Sequence, residues 1–241
     1  MQVKKPMNIF QKVIKVFVAP SEVLQDIKGN PRILLPFIYV LVITALTTIL
    51  QKPMIELQQQ EISYLSLERY GVDMLSLSEK GLVKNQSFWV SIFSIPITIW
   101  VGWLISSLFL LILSKIFKGK STYKQLLSLV IHTGVLTSTL FLIATPIDLL
   151  LGRSSTVFSL SILYPGGNMT SFLYNVLSAM TLFSIWAVIF QGMGLYILNE
   201  FTKKKGYITA TLIYIGKILF AAGAASMTFW MFDILYKQGM M

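Results

Sequence analysis

The chain has 241 residues, of which 55% are hydrophobic and 12% charged, with a mean hydropathy of +0.71. That balance excludes a soluble domain of ordinary surface composition. The net charge of +10 would suit nucleic acid, but the basic residues gather between apolar runs, where membrane topology accounts for them, so no nucleic-acid binding is expected. With zero cysteines, disulfides, thiolate metal sites and a cysteine nucleophile are absent.

Residues 1–32 form a first region. Met1–Lys28 alternates apolar and basic positions and lacks the apolar core of a cleaved signal peptide. Within Pro6–Ala19, the residues Ile9, Phe10, Val13, Val16 and Phe17 share one helical face, with Gln11, Lys12 and Lys15 largely opposite. This predicts an amphipathic helix lying flat on the bilayer surface, with Lys4, Lys5, Lys12 and Lys15 attracted to anionic lipid. Pro20 and Ser21 start a second short helix, Glu22–Lys28, which Gly29, Asn30 and Pro31 close in a tight elbow.

Residues 33–241 carry five apolar stretches: Ile33–Leu50, Phe88–Phe117, Gln125–Ile147, Phe172–Leu198 and Ile208–Leu235. At about 1.5 Å per residue even the first spans roughly 27 Å of a hydrocarbon core about 30 Å thick. A backbone in lipid has to satisfy its own hydrogen bonds, and these runs lack the two-residue alternation of barrel strands. The expected fold is therefore all-α, a polytopic five-transmembrane-helix bundle with an N-terminal interfacial helix. The loop 51–87 contains a predicted external helix, Pro53–Arg69, started by proline and ended by Gly71. Pro96 is expected to kink the second span.

Lys and Arg are retained in the cytoplasm during insertion. They gather before the first span, at Lys115, Lys118, Lys120 and Lys124, and at Lys203, Lys204 and Lys205. The N-terminus is accordingly expected in the cytoplasm and the C-terminus outside. The turns Phe117-Lys-Gly-Lys-Ser-Thr-Tyr123 and Phe201-Thr-Lys-Lys-Lys-Gly-Tyr207 resemble each other. They read either as a parallel internal duplication or as two unrelated aromatic-belt turns.

Ionisable residues at membrane depth are functional candidates by default. His132 in the third span reads as a packing or interhelical histidine rather than a proton relay. Lys217 and Asp233 share the fifth span, but sixteen positions of helix place them about 24 Å apart, so Lys217 is expected to snorkel and Asp233 to lie near the outer surface. Asp148 should cap or solvate the outer end of the third span. Thr209, Gly216 and Gly223 repeat every seven residues in the fifth span, and Gly192 and Gly194 lie in the fourth; they suit either packing inside the bundle or a dimer or partner contact. No metalloprotease, hydrolase or ATPase motif occurs. No catalytic, cofactor-binding or metal-ligating residue is expected, nor any enzymatic activity.

The elbow Phe17-x-x-Pro20-Ser21-Glu22-Val23-Leu24-x-x-Ile27-x-x-x-Pro31, running into Leu34-Leu35-Pro36, resembles the opening of the Yip1 domain family. Gly119 and Tyr123 resemble that family's Gly-x-x-x-Tyr-like element in a basic second loop. The chain lacks the Asp-Leu-x-Gly-Pro element of eukaryotic members, which leaves a Golgi trafficking role unsupported. The resemblance implies a cytoplasmic N-terminus, five spans and a non-enzymatic integral membrane protein acting through partners; bacterial relatives include accessory subunits found with ABC exporters that protect against toxic peptides. Lysine-rich, arginine-poor usage is compatible with a bacterial plasma membrane. The alternatives are a transporter or permease core, and a lipid-organising structural protein that forms a homo-oligomer.

Overall fold

The computed structural model describes residues 7–71, 88–153, 156–167 and 170–237. Lys4, Lys5, residues 72–87 of the first loop and the last four residues lie outside them. Among the described residues the chain is helical: α1 (Ile9–Val18), α2 (Pro20–Gly29), α3 (Leu34–Leu50), α4 (Lys52–Tyr70), α5 (Phe88–Ile116), α6 (Tyr123–Leu150), α7 (Phe172–Ala179), α8 (Leu182–Asn199) and α9 (Lys203–Lys237), with a 3-10 turn at Leu160–Leu163.

Four of these helices, in α5, α6, α8 and Lys203–Met227 of α9, are long and apolar enough to cross a membrane. A fifth span exists if α3 and α4, bent by 60° where they meet, count as one. The chain is thus an integral membrane protein by the character of its helices. The boundaries follow local chemistry. Asn8 caps α1 by accepting from the Gln11 N–H, and the Gln11 side chain returns to the Asn8 N–H, so two orphan donors are satisfied at once. Pro53 lies in the first turn of α4, where a missing donor costs nothing, and Gly71 ends it with φ 70°.

One expectation changes. The fourth apolar stretch, expected unbroken over Phe172–Leu198, is interrupted between α7 and α8. There Leu160 N–H donates to Met180 O and Leu182 N–H donates to Phe158 O, so the incoming loop takes backbone groups that a continuous helix would need. Pro96 lies within the second span, Phe88–Ile116.

The chain divides into two compact units. The first comprises Met1–Leu46, Ser94–Leu142 and Phe183–Ile215. Its core joins Val16, Val23, Leu24 and Ile27 of α1 and α2 to Leu110, Leu126, Leu129, Phe190, Leu195 and Ala210, with Phe17 and Trp103 packed against it. In lipid such packing rests on van der Waals fit and close backbone approach. Where α8 meets α9, a Cβ on Gly206 would stand 2.7 Å from Gly192 O, so only glycine allows that separation. The second unit comprises Thr47–Phe93, Ile143–Leu182 and Gly216–Met241. It holds α4, α7 and the bridge pairing Ser159 with Thr181.

Candidate functional site

The densest polar chemistry of the first unit lies beneath the N-terminal hairpin. Lys12 is not on the solvated face of α1, where the sequence pattern puts it. Its side chain is 2% exposed and its Nζ lies 2.7 Å from Asp26 Oδ2, on a carboxylate that is itself 10% exposed. The reason is geometric: α1 and α2 pack Val16 against Val23, Leu24 and Ile27, and Lys12, one turn before Val16, is carried inside with it. Burying one charge alone would be costly, and Asp26 compensates it. Asp26 also accepts from the Met7 N–H at 3.3 Å. Lys15 pairs with Glu22 across the same hairpin, in an exposed position where an ion pair contributes little.

His132 of α6 is fully buried and within electrostatic reach of both Lys12 and Asp26. Its Nδ1 donates to Ser128 O at 2.7 Å, which fixes the proton on that nitrogen and leaves Nε2 buried with no hydrogen-bond partner among the described residues. The helix carrying His132 also pins the elbow: Gln125 Nε2 donates to Lys28 O at 2.8 Å and Ser128 Oγ to Arg32 O at 2.9 Å. These are carbonyls that a chain stopping at Gly29 and passing through Pro31 leaves without helical partners. Pro20 opens α2 in its first turn. The elbow motif is therefore a backbone shape clamped by α6.

The two lysine-rich turns meet in the same unit. Each ends its helix in the Schellman manner, with a non-glycine residue in the left-handed region: Lys118 at φ 59° and Glu200 at φ 58°. Gly119 N–H reaches back to Ser114 O and Phe201 N–H to Tyr196 O. Asn199 sits between the turns, 2% exposed. Its Oδ1 accepts from the N–H and hydroxyl of Ser121, and its Nδ2 donates to Ser114 Oγ. Any Cβ on Gly119 would collide with Asn199 Oδ1 and the Phe201 ring. Lys205 lies over the rings of Phe117 and Phe201 and donates to Phe117 O at 2.6 Å. Tyr123 donates its hydroxyl to Leu104 O at 3.2 Å.

Glu200 joins the turns to the elbow. Its carboxylate takes Lys120 at 2.6 Å and Lys28 at 3.1 Å. The hydrogen bond from Lys120, then that from Lys28, holds the Glu200 carboxyl below its usual 4.5, and Glu200 in turn raises Lys120.

In the second unit Asp233 is held by Tyr70 Oη at 2.8 Å and Arg69 at 3.0 Å, so α4 supplies its partners and Lys217 does not. Asp148 is buried at the end of α6. It lies in the last turn of α6, 1% exposed, and its Oδ1 accepts the Val157 N–H at 2.9 Å, which ties down the following loop. Lys217 is exposed on α9. A Cβ added to Gly216 or Gly223 would meet nothing within 4 Å, whereas one added to Gly192 or Gly194 would run into Tyr207 or Leu129. Packing among the described residues therefore explains the glycines of α8 and not those two of α9.

Asp26, Asn199 and Glu200 hold this polar network together, and the sequence pattern alone does not single them out. Asp26 and Glu22 are the two acids of a basic N-terminal region, and Asn199-Glu200 is a polar pair placed where an apolar span meets a run of lysines. Those contrasts are the available signals. Among the described residues no three His, Cys, Asp or Glu side chains converge as metal ligands.

Compared with known proteins, the chain matches the family model of the Yip1 domain over residues 14–225. That stretch runs from within α1 into α9 and includes the elbow, both lysine-rich turns and His132. Neither the curated proteins nor the solved structures gave a match.

Proposed function

The chain belongs to the Yip1 domain family, and on that premise we propose that it is a non-enzymatic accessory subunit of a bacterial plasma-membrane complex, such as an ABC exporter. The N-terminus and the lysine-rich turns face the cytoplasm and the C-terminus lies outside, in keeping with the placement of lysines between the spans. The observation that carries the reading is the family match over nearly the whole chain. Gly216 and Gly223, where an added Cβ would meet no atom of the described residues, support it, since small residues let a second helix approach closely.

The test is crosslinking in native membranes followed by affinity purification of the tagged chain. Recovery of an ATPase and its permease, lost on replacing Gly216 and Gly223 with Leu, is the expected result. A chain that purifies alone and by itself moves solute across liposome membranes would instead be a transporter core.

A further inference from the structure

We propose that the N-terminal hairpin is seated on the bilayer surface by an apolar stripe, Phe10, Ile14 and Val18, and that this seating does not depend on its lysines. The inference rests on the chain being an integral membrane protein and is independent of the accessory role.

The stripe lies on α1 at i, i+4 and i+8, one side of the helix. Its members are 77%, 63% and 74% exposed, whereas Val16, on the other side, is fully buried in the unit's core. A helix that has already satisfied its buried face still presents three large apolar side chains in one row.

Two observations identify the occupant as lipid. The first is position. Sixteen residues after Val18 the chain enters α3, whose opening residues Leu34, Leu35 and Ile38 are themselves outward-facing and apolar. Only the short α2 and the elbow clamped by Gln125 and Ser128 separate the stripe from the start of that helix. The second is charge. Lys12 is paired with Asp26 inside the hairpin and Lys15 with Glu22 on it. The lysines of α1 are thus neutralised within the hairpin. What remains exposed along α1, beyond the capping pair Asn8 and Gln11 at its start, is hydrocarbon, suited to the boundary between headgroups and acyl chains. The exposed face of α2, with Ser21, Glu22 and Gln25, is polar and suited to water.

The cysteine-free chain permits a direct test in the full-length protein. Single cysteines are placed by Phe10→Cys, Ile14→Cys and Val18→Cys, with Gln25→Cys as the aqueous reference. Each is spin-labelled and the protein reconstituted in vesicles of neutral phosphatidylcholine. Oxygen partitions into lipid and a nickel chelate into water, so their relative access to each label reports depth. Labels at 10, 14 and 18 should favour oxygen, at a depth of about 5–10 Å, and the label at 25 should favour the chelate. The pattern should be the same with anionic lipid and at high salt.

Chelate access at 10, 14 and 18 equal to that at 25 overturns the proposal. So does insertion that occurs only with anionic lipid and disappears in salt, which is the lysine-driven attachment suggested by the sequence. Exclusion of both reagents, with dipolar broadening between labels, would place a second copy on the stripe and equally overturn it.

Discussion

Replacing Lys12 by Met keeps the length of the side chain and removes its charge from a pair that is 2% and 10% exposed and 2.7 Å long. Among the described residues Asp26 is then a buried carboxylate supported by one long hydrogen bond, from Met7 N–H at 3.3 Å. Removing one partner of a buried pair costs about 3–5 kcal/mol, and so little of this pair is exposed that solvent screening discounts the figure only slightly. Asp26→Leu strands the ammonium and should cost a similar amount. The double variant removes the desolvation penalty together with the attraction, so it should unfold within about 1 kcal/mol of the parent or above it. The coupling energy of the cycle is then about 5 kcal/mol or more. Reversible unfolding by titration with SDS in mixed micelles, followed by circular dichroism, measures all four proteins. A Lys12→Met variant within about 0.5 kcal/mol of the parent, with additive effects in the double variant, would mean that water solvates the pair and that the hairpin is not held by it.

Gly119→Ala should drive Asn199 from Ser121 and Ser114 and cost about 1–3 kcal/mol in the same titration, whereas Gly216→Ala meets no neighbour and should gain up to about 1 kcal/mol from helix propensity; equal effects would remove Asn199 as the hub of the turns. Because Glu200 has its carboxyl lowered by Lys120 and Lys28, its contribution to stability is complete above the ordinary value of 4.5 and is lost as pH falls through the lower folded value. The parent should therefore lose more stability than Glu200→Gln on acidification below that point, and parallel pH profiles of the unfolding midpoint would refute the bridge.

The membrane helices are legible in the sequence because lipid imposes a length and a composition, and nearly every boundary carries its own sign, such as Pro53 in the first turn of α4 and Gly71 after its end. The break at Met180 and Thr181 is not legible. No proline or glycine marks it, and its cause is a loop about twenty residues earlier that captures Met180 O. The elbow is legible as a pattern, but its clamp is not, since Gln125 and Ser128 are ordinary polar residues at the start of an apolar helix until folding brings Lys28 O and Arg32 O to them. Lys12 misleads for a physical reason: on a helical wheel a lysine marks the wet side, and only a facing acid from a neighbouring helix can reverse that. His132 is packed inside its unit, but its proximity to Lys12 and Asp26 depends on three separate helices and leaves no trace in the local sequence.

The bonds that close the elbow also set an order of events during synthesis. Lys28 O and Arg32 O find their donors 97 and 96 positions later, and Lys28 meets Glu200 only after 172. At about 5–20 residues per second, the ribosome needs roughly 5–20 s to deliver the first of these partners. The Lys12–Asp26 contact needs no such wait, since both residues emerge within the same short hairpin. A nascent chain can thus bring its first two helices to the membrane with Lys12 and Lys15 already paired, and complete their docking only when the last pair of spans arrives.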